Sequence, residues 1–295
     1  MDGFILLDKP TGITSAKCVS IIKGILKEKK VGHCGTLDPL ATGMLPICLG
    51  EATKFSDYVT SKLKKYSVRA LLGVETDSGD ITGSKIAIKE VNFTNTELKK
   101  VLRTMKGNLD QMPPMYSAIK QNGKPMYYWA RRGIYLKRKA KKIYIKEIKL
   151  KSIKKGIHLD LEITCSKGTY IRTLVESIGR KLNTLATVEQ LRRTHIGSYN
   201  ESDMTKLSTE KSLFLENIIE CDLLLEGFPK HILSPEETKK IINGQQLDYN
   251  AGKIKEGIVR LYEKEGSFIG IGNVDSAMKL SPKRLLNTSE CSSPS

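Results

Sequence analysis

The residues best placed to do chemistry lie in one short stretch. Gly32-His33-Cys34-Gly35-Thr36-Leu37-Asp38-Pro39-Leu40-Ala41-Thr42-Gly43 has neither a helical nor a strand period and is dense in glycine and proline, which predicts an ordered loop. Asp38, framed by Thr36-Leu37 and Pro39-Leu40, would be held tightly and partly buried. The chemistry such a side chain offers is that of a positioned carboxylate. The plainer reading is a turn aspartate bonding its own backbone, and for an Asp-Pro pair taken alone that reading wins.

Other chemistries find no support. There is no Gly-x-x-x-x-Gly-Lys-Ser/Thr phosphate loop, and Gly270-Ile271-Gly272 lacks the third glycine of a dinucleotide fingerprint. No His-x-Glu is joined to Pro-Cys-x-x-Cys, so a zinc deaminase is excluded. His33, His158, His195 and His231 show no metal-ligand spacing, and no two of the six cysteines form Cys-x-x-Cys. Neither a metal nor a cofactor is expected.

The 295 residues suit one large domain and one small one. Forty-nine Lys and Arg against 32 Asp and Glu give a net charge of +17, a field that draws polyanions. Nucleic acid is the leading partner and an acidic membrane surface the second, while a generally lysine-rich surface is the plain alternative. The opening residues 4–7 are too short for a signal segment, and no stretch approaches a membrane span. A cytoplasmic protein with reduced thiols is expected.

The elements that must position Asp38 can be read in part. Residues 4–7 predict a buried strand ending at the Lys9-Pro10-Thr11-Gly12 turn. Thr14 or Ser15 caps a helix with Val19, Ile22 and Leu26 on one face. Tyr66, Val68, Ala70 and Leu72 alternate as a strand. Thr94 and Glu97 have capping-box spacing before a helix carrying Leu98, Val101, Leu102 and Met105, which Gly107 ends. Strands are expected over 143–153 and 157–165, then a helix after Tyr170 with Leu174, Val175, Ile178 and Leu182 inward. This mixture, with no regular βαβ repeat, predicts an α+β fold with a largely antiparallel sheet.

Residues 112–142 interleave aromatics (Tyr116, Tyr127, Tyr128, Trp129) with cations (Arg131, Arg132 and the run Lys137-Arg138-Lys139-Ala140-Lys141-Lys142). Rings that stack on bases beside cations that meet phosphates suit RNA. A core helix followed by a solvated basic strand edge fits the composition equally. After Gly227-Phe228-Pro229 short apolar runs alternate with turns, as in a small β-rich domain reaching about residue 286. The polar stretch 287–295 is expected to be disordered.

The loop around Asp38, continued through Met44-Leu45-Pro46, resembles the signature of the TruB-type tRNA pseudouridine synthases. Leu7-Asp8-Lys9-Pro10-Thr11-Gly12 with Thr14-Ser15 is similar to that family's opening. So are Tyr66 with Leu72-Gly73, Thr76-Asp77 and Asp80; Gln111-Met112-Pro113-Pro114-Met115-Tyr116-Ser117-Ala118-Ile119-Lys120; Cys165-Ser166-Lys167-Gly168-Thr169-Tyr170-Ile171-Arg172; and Leu191-Arg192-Arg193-Thr194. The motifs occur in family order and span most of residues 3–197. Cys34 departs from the pattern, where the family usually has a small Thr or Gly.

The resemblance implies the pseudouridine synthase fold: an α+β catalytic domain over 1–226 with a mixed, mainly antiparallel sheet and a central cleft. Its RNA-gripping insertion would be 112–142, and 227–286 would form a PUA-like RNA-binding domain. The implied activity is isomerisation of uridine 55 in the T-arm loop of tRNA, by base flipping and an aspartate-dependent rearrangement of the glycosidic bond. Asp38 would be the catalytic group, as nucleophile or as base, with Arg172 its ion-pair partner. Tyr66 would stack on the flipped uracil and His33 brace the vacated stack. Lys9, Tyr170 and Leu191 would complete the pocket. Without the resemblance, Tyr66, Tyr170 and Leu191 read equally well as core.

Two rivals are a non-catalytic RNA-binding protein and a guide-RNA-dependent relative inside a ribonucleoprotein. The compact start at Met1 and the Pro-Pro-Met-Tyr-Ser-Ala segment favour a stand-alone monomer that acts on tRNA with no obligate protein partner and no membrane.

Overall fold

The first strand, β1 (Gly3–Lys9), shows why its sequence is a continuous apolar run and not an alternating one. Ile5 and Leu7 point into the main core, whereas Phe4 and Leu6 enter a second core on the opposite face, so both faces are covered. The computed structural model describes residues 1–154, 156–250 and 254–286. The tail 287–295, for which disorder is expected, lies outside the described residues.

In chain order, β1 leads to α1 (Ser15–Leu26), whose first turn is capped by the Thr14 hydroxyl accepting from Lys17 N–H at 3.1 Å. β2 (Val31–His33), β3 (Thr42–Leu49), α2 (Ser56–Ser61) and β4 (Lys64–Leu72) follow. A small hairpin, β5 (Val74–Thr76) and β6 (Lys85–Ile88), precedes α3 (Asn95–Thr104), where Thr94 and Glu97 form the expected capping box. Then come β7 (Gly107–Gln111), the two-residue strands β8 (Lys120–Gln121) and β9 (Lys124–Pro125), and α4 (Met126–Ala130). The long strands β10 (Lys141–Lys154), β11 (His158–Cys165) and β12 (Ala186–Ile196) enclose α5 (Ile171–Lys181). β13 (Thr205–Lys206) and α6 (Lys211–Glu216) close this part of the chain.

The main sheet runs β13-β1-β3-β12-β4-β11-β10-β7, with β2 added to β3. Only the β1/β13 and β3/β12 pairs are parallel, so the sheet is mixed and mainly antiparallel, as the sequence implied. β4 and β12 lie at its centre. Their register sets Arg193 opposite Tyr66 and Leu191 opposite Val68, which puts these side chains on one face.

A second, five-stranded sheet is built from β14 (Lys230–Ile232), β15 (Leu247–Asp248), β16 (Gly257–Tyr262), β17 (Phe268–Val274) and β18 (Lys279–Leu285), with α7 (Pro235–Ile242) packed beside it. It is not a loose appendage. Ile271 belongs to the same core as Phe4, Met44 and Phe55, and the Phe55 and Phe268 rings are 5.8 Å apart. Tyr58 meets Phe228 edge-on, Lys54 Nζ donates to Leu285 O, and Tyr262 OH donates to Asp222 Oδ2.

Four local expectations need correction. The ends of the 32–43 stretch are strand, because Gly32 and His33 pair with Cys48 and Ile47, and Gly43 pairs with Lys9. Ile157 sits exposed in the turn before β11, where the hairpin reverses. Residues 112–142 hold more than a helix and the exposed basic start of β10. A tiny hairpin and α4 fold over their own cluster of Met115, Met126 and Ala130. The β-rich C-terminal region also contains α7, whose Ser234–Glu237 capping box and Pro235 at the first turn were legible signals.

Gly43 is where the sheet and the Asp38 loop meet most tightly. Its φ is +93°, and an added Cβ would lie 2.3 Å from Arg193 O. Gly43→Ala should therefore lower the denaturant midpoint, with a loss of roughly 1–3 kcal/mol from overpacking and backbone strain. Equilibrium urea unfolding checks this, and an unchanged midpoint would refute the close approach.

Candidate active site

The Asp38 loop is gripped from three sides. Ser15, buried at the start of α1, donates its hydroxyl to Leu37 O at 3.0 Å and accepts from Leu37 N–H at 2.9 Å. The turn after β1 supplies Gly12 N–H to Pro39 O at 2.8 Å and the Thr11 hydroxyl to Leu40 O at 3.1 Å. Arg193, on β12, donates to Gly35 O at 2.9 Å and to Met44 O at 2.6 Å, bracing the loop at its entry and exit. A loop with this many backbone partners is a rigid mount for one side chain.

That side chain is Asp38. Arg172 Nε lies 2.9 Å from its Oδ2, and Nη2 donates to Oδ1 at 3.2 Å, a two-pronged pairing. The Asp38 side chain keeps 36% of its exposure, whereas that of Arg172 keeps 5%. Arg172 is further fixed by donating to Ser78 O at 2.5 Å and Tyr116 O at 2.7 Å, and Asp80 Oδ2 lies 3.8 Å from Nη1. Its place in the first turn of α5 sets a cation at the positive end of the helix dipole, so the two aspartates offset a poor location. Asp80 is itself buried and accepts at Oδ1 from Ser78, from Thr82 N–H and from the Thr82 hydroxyl.

Burial pushes the Asp38 carboxyl above the ordinary carboxylate range, and Asp80 adds to the push. Arg172 and Lys9 pull it back without fully offsetting the desolvation.

Asp38 stands where two cavities meet. The smaller, about 230 Å³, is walled by Tyr66, Leu191, Tyr170, Lys64 and Arg193. The larger, about 670 Å³, is lined by His33, Asp77, Tyr116, Tyr127 and Arg131, and both share Asp38 and Arg172. Tyr66 is 8% exposed, and burial raises its phenol, as it does that of half-buried Tyr170. Gln111 clasps the Tyr170 backbone through both N–H and C=O, which anchors the start of α5. Burial, with repulsion from Arg193, lowers the His33 imidazole, whose Nδ1 is buried without a hydrogen-bond partner.

The structure thus brings Asp38, Arg172, Tyr66, Tyr170 and Leu191 to one cavity and His33 to its neighbour. Lys9 differs from expectation. It is fully buried behind the loop and lines neither cavity, because its ammonium is taken up by Pro10 O, Ile13 O and Pro39 O at 2.8, 2.7 and 3.3 Å. Sequence reasoning missed Asp80 as a neighbour of Arg172, and it missed Lys64 and Arg193 as cavity residues. Alternation along the strands was the available signal, since Lys64 is two residues from Tyr66, and Arg193 two from Leu191.

Among the described residues, no group of three or more His, Cys, Asp or Glu could hold a metal ion. Five cysteines, Cys18, Cys34, Cys48, Cys165 and Cys221, are buried and free. No helix among these residues is long and apolar enough to cross a membrane.

Arg172→Gln would leave Asp38 without its main cation and should destabilise the fold by about 3 kcal/mol or less at pH 7. The loss falls below the 3–5 kcal/mol of a wholly buried pair because water still reaches Asp38. A carboxyl raised in the folded state favours folding below its unfolded pKa of roughly 3.9, and that contribution is lost as pH rises through the folded value. The variant's deficit should therefore shrink on acidification, as read from urea unfolding across pH. A deficit that grows with acid would contradict the pairing.

Comparison with known proteins agrees with the geometry. The model of the N-terminal domain of TruB family pseudouridylate synthases matches residues 23–171. The model of the tRNA pseudouridylate synthase B C-terminal domain matches 172–224, and that of the pseudouridine synthase II TruB C-terminal region matches 229–286. The chain is 43% identical to tRNA pseudouridine synthase B of Buchnera aphidicola subsp. Baizongia pistaciae, over 97% of each chain. It is 39% identical to tRNA pseudouridine synthase B of Aromatoleum aromaticum, over 98% of this chain and 94% of that one. A chain in the crystal structure of a Cbf5-Nop10-Gar1 complex superposes with a TM-score of 0.71 at 23% identity, covering 96% of this chain and 83% of its own. That likeness speaks for the fold.

Proposed function

Because the chain belongs to the TruB family of pseudouridylate synthases, we propose that it isomerises one uridine of tRNA to pseudouridine, at position 55 in the T-arm loop. The observation that carries this reading is Asp38, held by Arg172 at the edge of a cavity walled by the Tyr66 ring.

The reaction breaks the bond between uracil N1 and ribose C1′, turns the base, and joins C5 to C1′. It exchanges no electrons with a cofactor and transfers no group to a second substrate, so a positioned carboxylate suffices as the reacting group. The target base must leave its stack, at a cost of a few kcal/mol. Stacking on Tyr66 would return roughly 1–3 kcal/mol. Asp38, ionised beside the guanidinium, then meets the sugar as nucleophile or as base. Tyr170 and Leu191 confine the base from the other walls, and His33, in the adjoining cavity, braces the space the base vacated. Lys9 acts at one remove, by holding the Pro39 carbonyl next to Asp38.

Residues 1–226 would form the catalytic domain and 112–142 its grip on the T-arm. In that insertion Arg132 lies 3.6 Å from the centre of the Tyr128 ring, and Tyr127 and Tyr135 are exposed, which gives stacking faces next to cations. Residues 227–286 would add a PUA-like RNA-binding surface. The protein would work in the cytoplasm as a monomer on tRNA alone.

Purified protein incubated with tRNA transcript and no other RNA should form pseudouridine at position 55. Asp38→Asn should abolish turnover while leaving tRNA affinity nearly unchanged. Strong loss of binding with residual turnover would make Asp38 a binding residue. The wild-type rate should fall as pH drops through a value above the roughly 3.9 of an ordinary aspartate, because only the ionised form reacts.

A net charge of +17 should make binding weaken steeply with added salt. Filter binding over a salt series reads the slope, and a flat response would remove the phosphate contacts from the account.

A further inference from the structure

The cavity that holds Tyr66 also holds two cations that the reaction described above does not use. Lys64 is 4% exposed and Arg193 is 1% exposed, and both line it. Among the described residues, neither is paired with an acid. The Lys64 ammonium donates to the carbonyls of Thr60 and Lys62, and Arg193 donates to those of Met44 and Gly35. The charged and titratable groups that act most on Lys64 are Arg193 on β12, Cys165 at the end of β11, Lys167 in the turn before α5, and Cys34 in the Asp38 loop; Tyr66, Tyr170 and Asp38 line the same cavity, and Asp38 is paired with Arg172. Two positive charges buried side by side without a counter-ion are costly to keep. Backbone carbonyls could be satisfied by neutral donors, so tying the loop does not by itself account for the charge.

We propose that Lys64 and Arg193 stabilise the uracil while it is detached from the ribose, by facing the negative charge it then carries. The inference rests on the reaction proposed above. When the N1–C1′ bond breaks, its electron pair leaves with the base, and the charge spreads over N1 and the ring carbonyl oxygens. The pair that re-forms the link to C1′ comes from C5. The proton lost from C5 is matched by the one gained at N1, so no atom enters or leaves overall. Between those events the base is an anion in a cavity of about 230 Å³, with Asp38 at one side and the two cations on the walls. Fixed charges in such a site act on developing charge without reorganising. The arrangement also divides the labour: the carboxylate serves the sugar and the cations serve the base.

The test is kinetic. Lys64→Gln should slow single-turnover pseudouridine formation by about 10²-fold, the scale of losing one charge-stabilising donor, while tRNA affinity stays as in wild type. Burial, with Arg193 close by, lowers the Lys64 ammonium to about 8. The wild-type kcat/KM, which reports the free enzyme, should therefore fall as pH rises through that value. Lys64→Arg keeps the charge and should retain most of the rate while losing this alkaline limb. A purely structural lysine would not move the pH profile. If Lys64→Gln does not fold, the profile of wild type against Lys64→Arg decides alone.

A full rate in Lys64→Gln, weakened binding with the rate preserved, or an alkaline limb unaltered in Lys64→Arg would each overturn the assignment. These results differ from a wild-type protein that forms no pseudouridine, which would overturn the reaction itself and this inference with it.

Discussion

Asp38 and Arg172 meet at 2.9 Å across 134 residues of chain, one still touched by water and the other almost sealed from it. Much of the architecture can be understood as what is needed to keep that contact. The carboxylate stands on a loop that has no regular structure of its own and borrows its rigidity from α1, the turn after β1, and Arg193. The guanidinium stands at the start of α5, where the helix dipole disfavours it, and is held by the carbonyls of Ser78 and Tyr116 and faced by Asp80. Each half of the pair is therefore set by segments far away in sequence. Neither could be positioned by local structure alone.

The pair is balanced and not simply strong. Desolvation opposes the ionised form of Asp38, and the arginine restores part of what desolvation removes. A fully buried pair would be more rigid but closed to any ligand. A fully exposed one would be screened and mobile. One-third exposure leaves a face of the carboxylate open to the cavity while the other is fixed.

How far this was legible in sequence depended on whether a signal was local. Thr94 with Glu97, the alternation of Tyr66, Val68, Ala70 and Leu72, and the inward face of α5 are written in consecutive residues, and the structure has them. The motif order carried the family and its mixed sheet. What stayed hidden depends on pairing between distant segments. The family resemblance implied a pocket role for Lys9, but it could not show that the side chain is buried behind the loop. Its ammonium is consumed by the carbonyls of Pro10 and Ile13 in the turn after β1 and by that of Pro39, where the chain returns. Lys64 drew no notice and Arg193 stood only as part of a motif, without a role, until the β4/β12 register set Arg193 beside Tyr66. The extra helix α7 had its capping box in plain view, but the surrounding turns masked it.

The two-sided burial of β1 bears on how the molecule comes into being. Ile5 and Leu7 find their neighbours among strands and helices of the first sheet, but Phe4 and Leu6 share a core with Leu224, Leu225 and Ile271. A chain emerging from the ribosome exposes its amino-terminal end first. One flank of that opening strand is covered in stages, first by Met44, Cys48, Ala52 and Phe55, then by Leu224 and Leu225, and last, some 270 residues along, by Ile271. The second face of β1 thus gains most of its cover from nearby chain, and only its last contacts wait for the C-terminal sheet.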